Sequence, residues 1–239
     1  MFLECPRKWA FRFIDRVVVD EALSPWRGQG DRMHAHLERW RNDPSASVDM
    51  TDHEQRVASA AMGYWPEGPW LPEQWVYVER DGHAFHGKSD QFDPAGFVGD
   101  YKFVGNKLRI PGAEPNMSDE VIARRAAWLL QRHPQWIIYA GATRGPVCEG
   151  QWTYVIKPPR MQGEARVIPV RWREPRAVID RKLAALDHAA RAMIRFRDHY
   201  ESANDVPHNA DGACMGLGVQ CDFGDRHCRL TYPGKEMPV

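Results

Sequence analysis

The sequence has no excess of charge of either sign. Its 239 residues include 32 lysines and arginines and 32 aspartates and glutamates, so the formal net charge at pH 7 is +0. A protein that attracts polyanions through a global positive field is therefore excluded, and any affinity for nucleic acid must come from local patches. Hydrophobic residues make up 43% and charged residues 27% of the chain. These values are typical of a globular protein, and the length suits one well-filled domain.

Long apolar runs are also missing. No stretch approaches the length of a membrane span, and charged residues begin at Glu4, which argues against a signal peptide. The sequence contains no Gly-x-x-x-x-Gly-Lys-Ser/Thr phosphate loop, so nothing indicates a built-in ATP motor. Internal repeats and low-complexity tracts are absent as well. We therefore expect a cytoplasmic protein that does not enter a membrane.

Cysteine is scarce, with 5 residues in the chain. An odd number of cysteines in a reducing compartment argues against a disulfide framework and favours metal or cluster chemistry. Cys148 lies in a predicted loop with no matching partner, so we expect it to be a free thiol.

The hydrophobic periodicity predicts an α/β fold with a mixed central sheet flanked by helices. An amino-terminal helical face within residues 1–16 comes first. The other predicted helices cover residues 29–41, 52–64, 119–131, 134–143 and 175–202. The predicted strands cover residues 73–80, 83–91, 95–103, 150–157 and 165–172. Thr51 or Asp52 and Ser118 are expected to cap helices, and Pro169 restricts the last strand to a sheet edge.

The segment from Gly87 to Lys102 carries the most distinctive chemistry. Asp93-Pro94-Ala95-Gly96 has turn composition, which predicts a hairpin. Because side chains alternate along a strand, Asp100 and Lys102 should share one face. If the register places Asp90 beside Asp100, two carboxylates and an ammonium converge, and such a group can hold a divalent cation and an attacking water. The alternative interpretation is a solvated hairpin with surface charges.

Three other features admit two interpretations each. His34, on a predicted helix, is either a buried structural histidine or a ligand. Gln135 and Tyr139 share one helix face at a spacing of four residues, where they either pack or contact the hairpin. The stretch from Arg171 to Arg197 holds eight basic and three acidic residues, and it forms either a solvated face or a phosphate-binding one.

Taken in order, these motifs resemble a known family. The order is Gly30-x-x-x-His34-x-x-Leu37-Glu38, Gly87-x-x-Asp90, Asp100-x-Lys102 and Gln135-x-x-x-Tyr139. The series resembles the RecB-like branch of the PD-(D/E)XK nuclease superfamily. The bracketing cysteines, with Cys5-Pro6-Arg7-Lys8 near one end and Cys214, Cys221 and Cys228 near the other, are similar to the iron-sulfur members of that branch. These members include CRISPR-associated RecB-like exonucleases, AddB-type helicase-nucleases and stand-alone phage proteins.

The resemblance implies a restriction-endonuclease-like core and a metal-dependent active site. His34, Asp90, Asp100 and the backbone carbonyl of Tyr101 would ligate a catalytic Mg²⁺ or Mn²⁺. Lys102 would orient and activate the attacking water. Gln135 and Tyr139 would lie on the helix behind the site and contact the hairpin or the nucleic acid.

The resemblance also implies that Cys5, Cys214, Cys221 and Cys228 bind a 4Fe-4S cluster, which would act as a clasp between the two ends of the chain. A structural zinc and four unrelated thiols are the alternatives, since zinc also accepts four thiolates. The close Cys-x-x-Cys knuckle of many zinc sites is missing, which favours the cluster. The spacing of the last three cysteines is wider than in the best-known family members.

We therefore expect a single RecB-like nuclease domain over residues 1–239. Its core would cover about residues 29–172, and residues 1–16 and 206–230 would bear the cluster. The expected activity is that of a DNA exonuclease on single-stranded or frayed ends, with recombination or CRISPR adaptation proteins as partners. The alternatives are a nuclease-inactive iron-sulfur adaptor that binds DNA, and a structure-specific or RNA-directed endonuclease.

Overall fold

The computed structural model describes residues 10, 14–16, 25–43, 51–64, 67–68, 70–104, 110, 114, 116–156 and 163–202. Its helices are α1 (Pro25–Asn42), α2 (Asp52–Met62), α3 (Asp119–Leu130), α4 (Pro134–Ala142) and α5 (Arg176–His199). Its strands are β1 (Leu71–Arg80), β2 (His83–Asp93), β3 (Phe97–Val104), β4 (Val147–Ile156) and β5 (Arg166–Pro175).

The five strands form one mixed sheet in the order β1-β2-β3-β4-β5. Neighbouring strands are antiparallel except for β3 and β4, which run parallel. A parallel pair needs a crossover connection, and here α3 and α4 supply it. β1 and β2 are joined by a two-residue turn at Asp81 and Gly82, both with positive φ, as a type I′ hairpin turn requires.

Helices cover both faces of the sheet. On one face, Met33 and Leu37 of α1 pack with apolar residues of α2 and with Tyr101 and Val155 of the sheet. On the other face, apolar residues of α3, α4 and the first half of α5 pack on the sheet in a larger core. Three tryptophans of this second core, Trp136, Trp152 and Trp172, contact one another.

The predicted α/β class with a mixed, helix-flanked sheet is confirmed. The helix caps Thr51 and Ser118 are confirmed, and Pro169 lies on β5 at an edge of the sheet, as predicted. The strands begin and end within three residues of the predicted bounds. Most of the predicted amino-terminal helical face and all of the expected cluster segment 206–230 lie outside the described residues.

The chain divides into two compact units. One comprises Ser24–Asp187 and contains the whole sheet, and the other comprises Met1–Leu23 with His188–Val239. The expectation of a single domain that includes both ends of the chain stays a prediction. Among the described residues, no helix combines the length and the apolar character needed to cross a membrane.

Candidate active site

The strands β2 and β3 separate at the middle of the sheet. Their register runs from Asp93 opposite Phe97 to Gln91 opposite Gly99, and no further pair follows. Beyond this point the backbone N–H of Tyr101 donates to Asp90 Oδ2 over 2.6 Å. A carboxylate thus replaces the backbone carbonyl as the acceptor, and it lies at a fork between two strands.

Asp100 and Lys102 lie on one face of β3, as their alternation predicts. Lys102 Nζ is 2.5 Å from Asp100 Oδ2, and the Asp100 side chain is 4% exposed. Burial raises the pKa of Asp100 to about 6, and the charge of Asp90 adds to this while the Lys102 ammonium opposes it. Additional positive charge would stabilise the charged form of this buried carboxylate more than it would stabilise an exposed one.

His34 reaches the fork from α1. Its Nδ1 is 3.3 Å from Asp90 Oδ2, and its ring contacts Phe103 edge-on at 5.2 Å between centroids. Met33 and Leu37 fix this helix in the core, so His34 is held at the edge of a packed layer. Burial lowers the pKa of His34, but the hydrogen bond to Asp90 and the nearby negative charges outweigh it, so the pKa is raised overall.

Gln135 joins Asp100 to Lys102. Its Nε2 donates to Asp100 Oδ1 over 2.9 Å, and its Oε1 accepts from Lys102 Nζ over 3.2 Å. Gln135 lies in the first turn of α4, which Pro134 starts and the His133 side chain caps. The Gln135 side chain therefore reaches Asp100 from the amino-terminal end of α4.

Tyr139 lies one turn further along α4 and links the helix to β2. Its hydroxyl accepts from Gln135 Nε2 over 3.1 Å and donates to the backbone carbonyl of Lys88. A Cβ on Gly87 would lie 2.5 Å from Tyr139 Cε1, so glycine at this position makes room for the ring. Burial raises the pKa of Tyr139 to about 12, and the residue therefore acts as a neutral hydrogen-bonding group.

A buried polar network holds α4 against the sheet. Trp136 Nε1 donates to Glu174 Oε2 over 3.0 Å, and the other carboxylate oxygen of Glu174 pairs with Lys182. Lys182 also donates to the backbone carbonyl of Gln131 over 2.5 Å. Arg176 donates to the backbone carbonyls of Ala140 and Thr143 at the end of α4. These cations satisfy the last carbonyls of two helices.

This network changes the interpretation of the basic stretch from Arg171 to Arg197. Arg176 and Lys182 are largely buried, with side chains 24% and 23% exposed. They bind helix ends and a buried glutamate, which neither interpretation of the sequence indicated. The other six basic residues of the stretch are exposed, as the solvated-face interpretation predicts: Arg171, Arg173, Arg181, Arg191, Arg195 and Arg197. Arg171 also has a structural role, since it donates to Gln151 Oε1 over 2.8 Å.

Glu73 of β1 is a site residue that the sequence did not reveal. The register places Pro72 opposite Gln91 and Gln74 opposite Ser89, so Glu73 is level with Asp90. His34, Glu73 and Asp90 each offer one ligand atom, and these atoms lie within 4.8 Å of one another, as a metal ion would require. Burial raises the pKa of Glu73, and a hydrogen bond from Lys88, at 2.5 Å, opposes it.

The signal for Glu73 was present in the sequence. Asp81-Gly82 is typical of a two-residue hairpin turn, and such a turn fixes the register between β1 and β2. Extending that register from Arg80 opposite His83 leads to Glu73 beside Asp90. Glu73 also adopts φ 51°, which is uncommon outside glycine.

The six predicted site residues form two groups at the fork. His34 and Asp90 lie together with Glu73, and Asp100, Lys102, Gln135 and Tyr139 are joined by hydrogen bonds and an ion pair. Tyr101 contributes its backbone N–H to Asp90, while its ring packs in the core under α1. The four predicted cluster ligands Cys5, Cys214, Cys221 and Cys228 lie outside the described residues. Cys148 is a free thiol among the described residues, as predicted. The predicted loop was wrong, because Cys148 is buried in the second position of β4.

Carboxylates and an imidazole at a partly open fork form a donor set suited to a divalent cation. The adjacent ammonium and amide can orient a water molecule or a negatively charged substrate. No protein-family model matches the chain, and no curated protein matches it. The chemistry of the fork must therefore be judged from its own residues.

Proposed function

We propose that this protein is a metal-dependent nuclease that hydrolyses phosphodiester bonds of DNA. The observation that supports this most is the convergence of His34, Asp90, Asp100 and Lys102 at one fork between two strands. Hydrolysis of a phosphodiester requires positive charge against the developing negative charge, and it requires a positioned water. The fork offers a cation-binding donor set and an ammonium side by side.

The fork residues fit a hard divalent cation. The ligand atoms of His34, Asp90 and Glu73 lie within 4.8 Å of one another, and by resemblance Asp100 and the Tyr101 carbonyl would join His34 and Asp90 in holding Mg²⁺ or Mn²⁺. Burial raises the pKa of Asp100, and a bound cation would favour its charged form and oppose this shift. When bound, the cation would supply Lewis acidity to the phosphate and the attacking water.

The remaining side chains have positioning roles in this proposal. Lys102 Nζ, held between Asp100 and Gln135, orients the water and offsets charge on the phosphate. Gln135 fixes both Lys102 and Asp100 through one amide. Tyr139 ties Gln135 to the backbone of β2 at Lys88, so the helix and the hairpin keep their spacing. The preferred substrate in this proposal is single-stranded DNA or a frayed end.

The clasp forms a separate part of the proposal. Cys5, Cys214, Cys221 and Cys228 would bind a 4Fe-4S cluster that joins the two ends of the chain. The resemblance to iron-sulfur nucleases supports this assignment, and the partners it favours are recombination or CRISPR adaptation proteins. Protein purified without oxygen should then be brown and contain about four irons, because thiolate-ligated clusters absorb visible light.

A digestion assay tests the nuclease proposal. End-labelled oligonucleotides, single-stranded and duplex, DNA and RNA, are incubated with Mg²⁺, Mn²⁺ or a chelator. We expect metal-dependent shortening of single-stranded DNA by wild-type protein and none by Lys102→Ala. Arg124→Ala is the matched control, because Arg124 is exposed and pairs with Glu120 along one helix. Absence of cleavage with every metal would contradict the proposal, and faster cleavage of RNA would redirect it.

A further inference from the structure

The β1-β2 hairpin carries exposed aromatic rings on one face. Trp75 is 57% and Tyr77 is 67% exposed, and the ring of His86 lies 6.0 Å from Trp75 and 6.2 Å from Tyr77 between centroids. We call Trp75, Tyr77 and His86 the aromatic platform. Large exposed rings next to one another are unusual on a protein surface and mark sites of interaction.

The opposite face of the same hairpin packs against the protein core. Val76 is buried, and Val78 and Phe85 pack against the core that contains α4. Side chains alternate along a strand, so Trp75 and Tyr77 point away from this core. Replacing them does not remove core contacts, and the packing of the hairpin therefore does not require aromatic residues at these positions.

The aromatic platform adjoins the candidate active site. The register places Trp75 opposite Lys88 and Tyr77 opposite His86. Lys88 in turn pairs with Glu73, whose carboxylate belongs to the group with His34 and Asp90. Two residues along a strand span about 6.6 Å. Trp75 therefore lies about 6.6 Å along β1 from Glu73 at the fork, and Tyr77 lies the same distance beyond Trp75.

We propose that the aromatic platform binds unpaired bases of a single-stranded nucleic acid and thereby makes the site selective for single strands. This inference rests on the proposed function for the identity of the substrate. Bases of any sequence stack on aromatic rings, and single-strand-binding proteins use such rings beside cationic groups. Within a duplex the base faces are already stacked on one another and are not free to contact the aromatic platform.

The surroundings of the rings favour a nucleic acid over an apolar partner. The Lys88 ammonium lies on the hairpin across from Trp75, with its side chain 41% exposed, and Glu79 continues the exposed face beyond Tyr77. The rings are therefore bordered by charged groups rather than by further apolar surface. The Lys88 ammonium, which pairs with Glu73, is the group beside the rings that a phosphate would contact, whereas Glu79 is an anion, so stacking on the rings would supply most of the affinity.

A binding assay in the presence of a chelator tests the aromatic platform independently of cleavage. Fluorescence anisotropy is measured with a labelled oligothymidylate, the same strand with abasic sites, and a duplex. Trp75→Ala/Tyr77→Ala should weaken binding of the oligothymidylate at least about tenfold, since stacking is worth that much per base. Trp75→Phe/Tyr77→Phe should retain most of the affinity.

Two controls connect the loss to stacking. Trp128→Ala removes a tryptophan with 58% exposure on α3, and it should leave the affinity unchanged. Abasic sites should weaken binding to the wild type but not to Trp75→Ala/Tyr77→Ala, because that variant has no ring to stack. Equal affinity of wild type and the double alanine variant for oligothymidylate would overturn the inference.

The result also separates this inference from the proposed function. If the wild type binds single strands through the aromatic platform but no metal supports cleavage, the nuclease proposal fails and the binding surface stands. If cleavage occurs but single and double strands compete equally, the aromatic platform has no role in selection and the inference fails. A wild-type dimer that the double alanine variant converts to a monomer would assign the surface to self-association instead and overturn it.

Discussion

Among the residues that the structure describes, two lysine–carboxylate pairs have a buried acid, and they occupy different environments. Lys102 pairs with Asp100, whose side chain is 4% exposed, and Lys182 pairs with Glu174, whose side chain is 8% exposed. Glu174 receives a hydrogen bond from Trp136, and Lys182 also donates to the end of α3. Asp100, in contrast, faces the negative charge of Asp90, and Lys102 is 35% exposed.

The Lys182–Glu174 pair has the surroundings of a structural ion pair, whereas the Lys102–Asp100 pair has those of a binding or catalytic site. At Glu174 the partners are a lysine and an indole that lie in the same core and complete one another. Asp100 is buried and feels the negative charge of Asp90, two effects that the Lys102 ammonium and the His34 imidazole only partly offset, so added positive charge would favour its charged form. Removing one of two like charges would stabilise the fold. Natural proteins therefore keep such an arrangement mainly where function requires it.

Exchanging lysine for methionine in each pair should give opposite results, and this is the largest effect we expect. Lys102→Met should lower cleavage of single-stranded DNA by about 10²–10³-fold, as loss of one charge-stabilising donor does. Its loss of thermal stability should be smaller than that of Lys182→Met, because Gln135 still donates to Asp100 and the raised pKa of Asp100 lets it take up a proton. Cleavage rates and melting temperature are measured on the same preparations. A variant at position 102 that cleaves at the wild-type rate would refute its role at the site.

Lys182→Met should instead destabilise the protein and spare the chemistry. Glu174 would lose its cationic partner and retain only the Trp136 hydrogen bond, and breaking a buried pair in this way costs about 3 kcal/mol. The melting temperature should fall, while the cleavage rate per folded molecule at low temperature stays near that of the wild type. Unchanged stability would mean that the two pairs do not differ as described.

The carboxylates extend the contrast to metal binding. Asp90→Asn and Asp100→Asn should each weaken Mn²⁺ binding by about tenfold or more, because each removes a formal charge from the donor set. Glu174→Gln is the matched control in the other pair and should bind Mn²⁺ as the wild type does once folded. Titration calorimetry gives the three affinities. Equal Mn²⁺ affinity of all variants and the wild type would place the metal elsewhere.

The sequence predicted those parts of the site that depend on local patterns. Strand alternation was enough to place Asp100 and Lys102 on one face, and helical spacing was enough for Gln135 and Tyr139. The network of Glu174 and Lys182 was not predicted, because the Lys182 bond to Gln131 joins residues 51 positions apart. Composition describes Lys182 as one more charge in a basic stretch, and only the packing of α5 reveals its partners.

A glycine comparison tests whether the spacing of helix and hairpin matters. Gly87→Ala would place a Cβ 2.5 Å from Tyr139 Cε1, so the ring or α4 must shift, at a cost of about 1–3 kcal/mol. Cleavage should fall as Gln135 moves with the helix. Gly30→Ala meets nothing within 4 Å and should stabilise α1 by about 0.5–1 kcal/mol. Melting curves and cleavage rates distinguish the two, and equal behaviour would refute the role of Gly87.

The smallest effect is expected at Cys148, which lies in the core of the sheet and not at either end of the chain. Burial raises the pKa of its thiol to about 12, so at pH 8 the unreactive thiol form predominates. Alkylation of folded protein, followed by peptide mass spectrometry, should leave Cys148 unmodified and become faster as the pH rises.

Cys148→Ala should preserve cleavage and any visible colour of anaerobically purified protein. Serine at Cys5, Cys214, Cys221 or Cys228 should remove that colour and lower the melting temperature, because binding of a cluster and folding are coupled. A colourless wild type with one tightly bound zinc would replace the cluster with a zinc site. Since Asp90, Asp100 and Lys102 are held by the sheet and α4, the chemistry proposed at the fork would stand in either case.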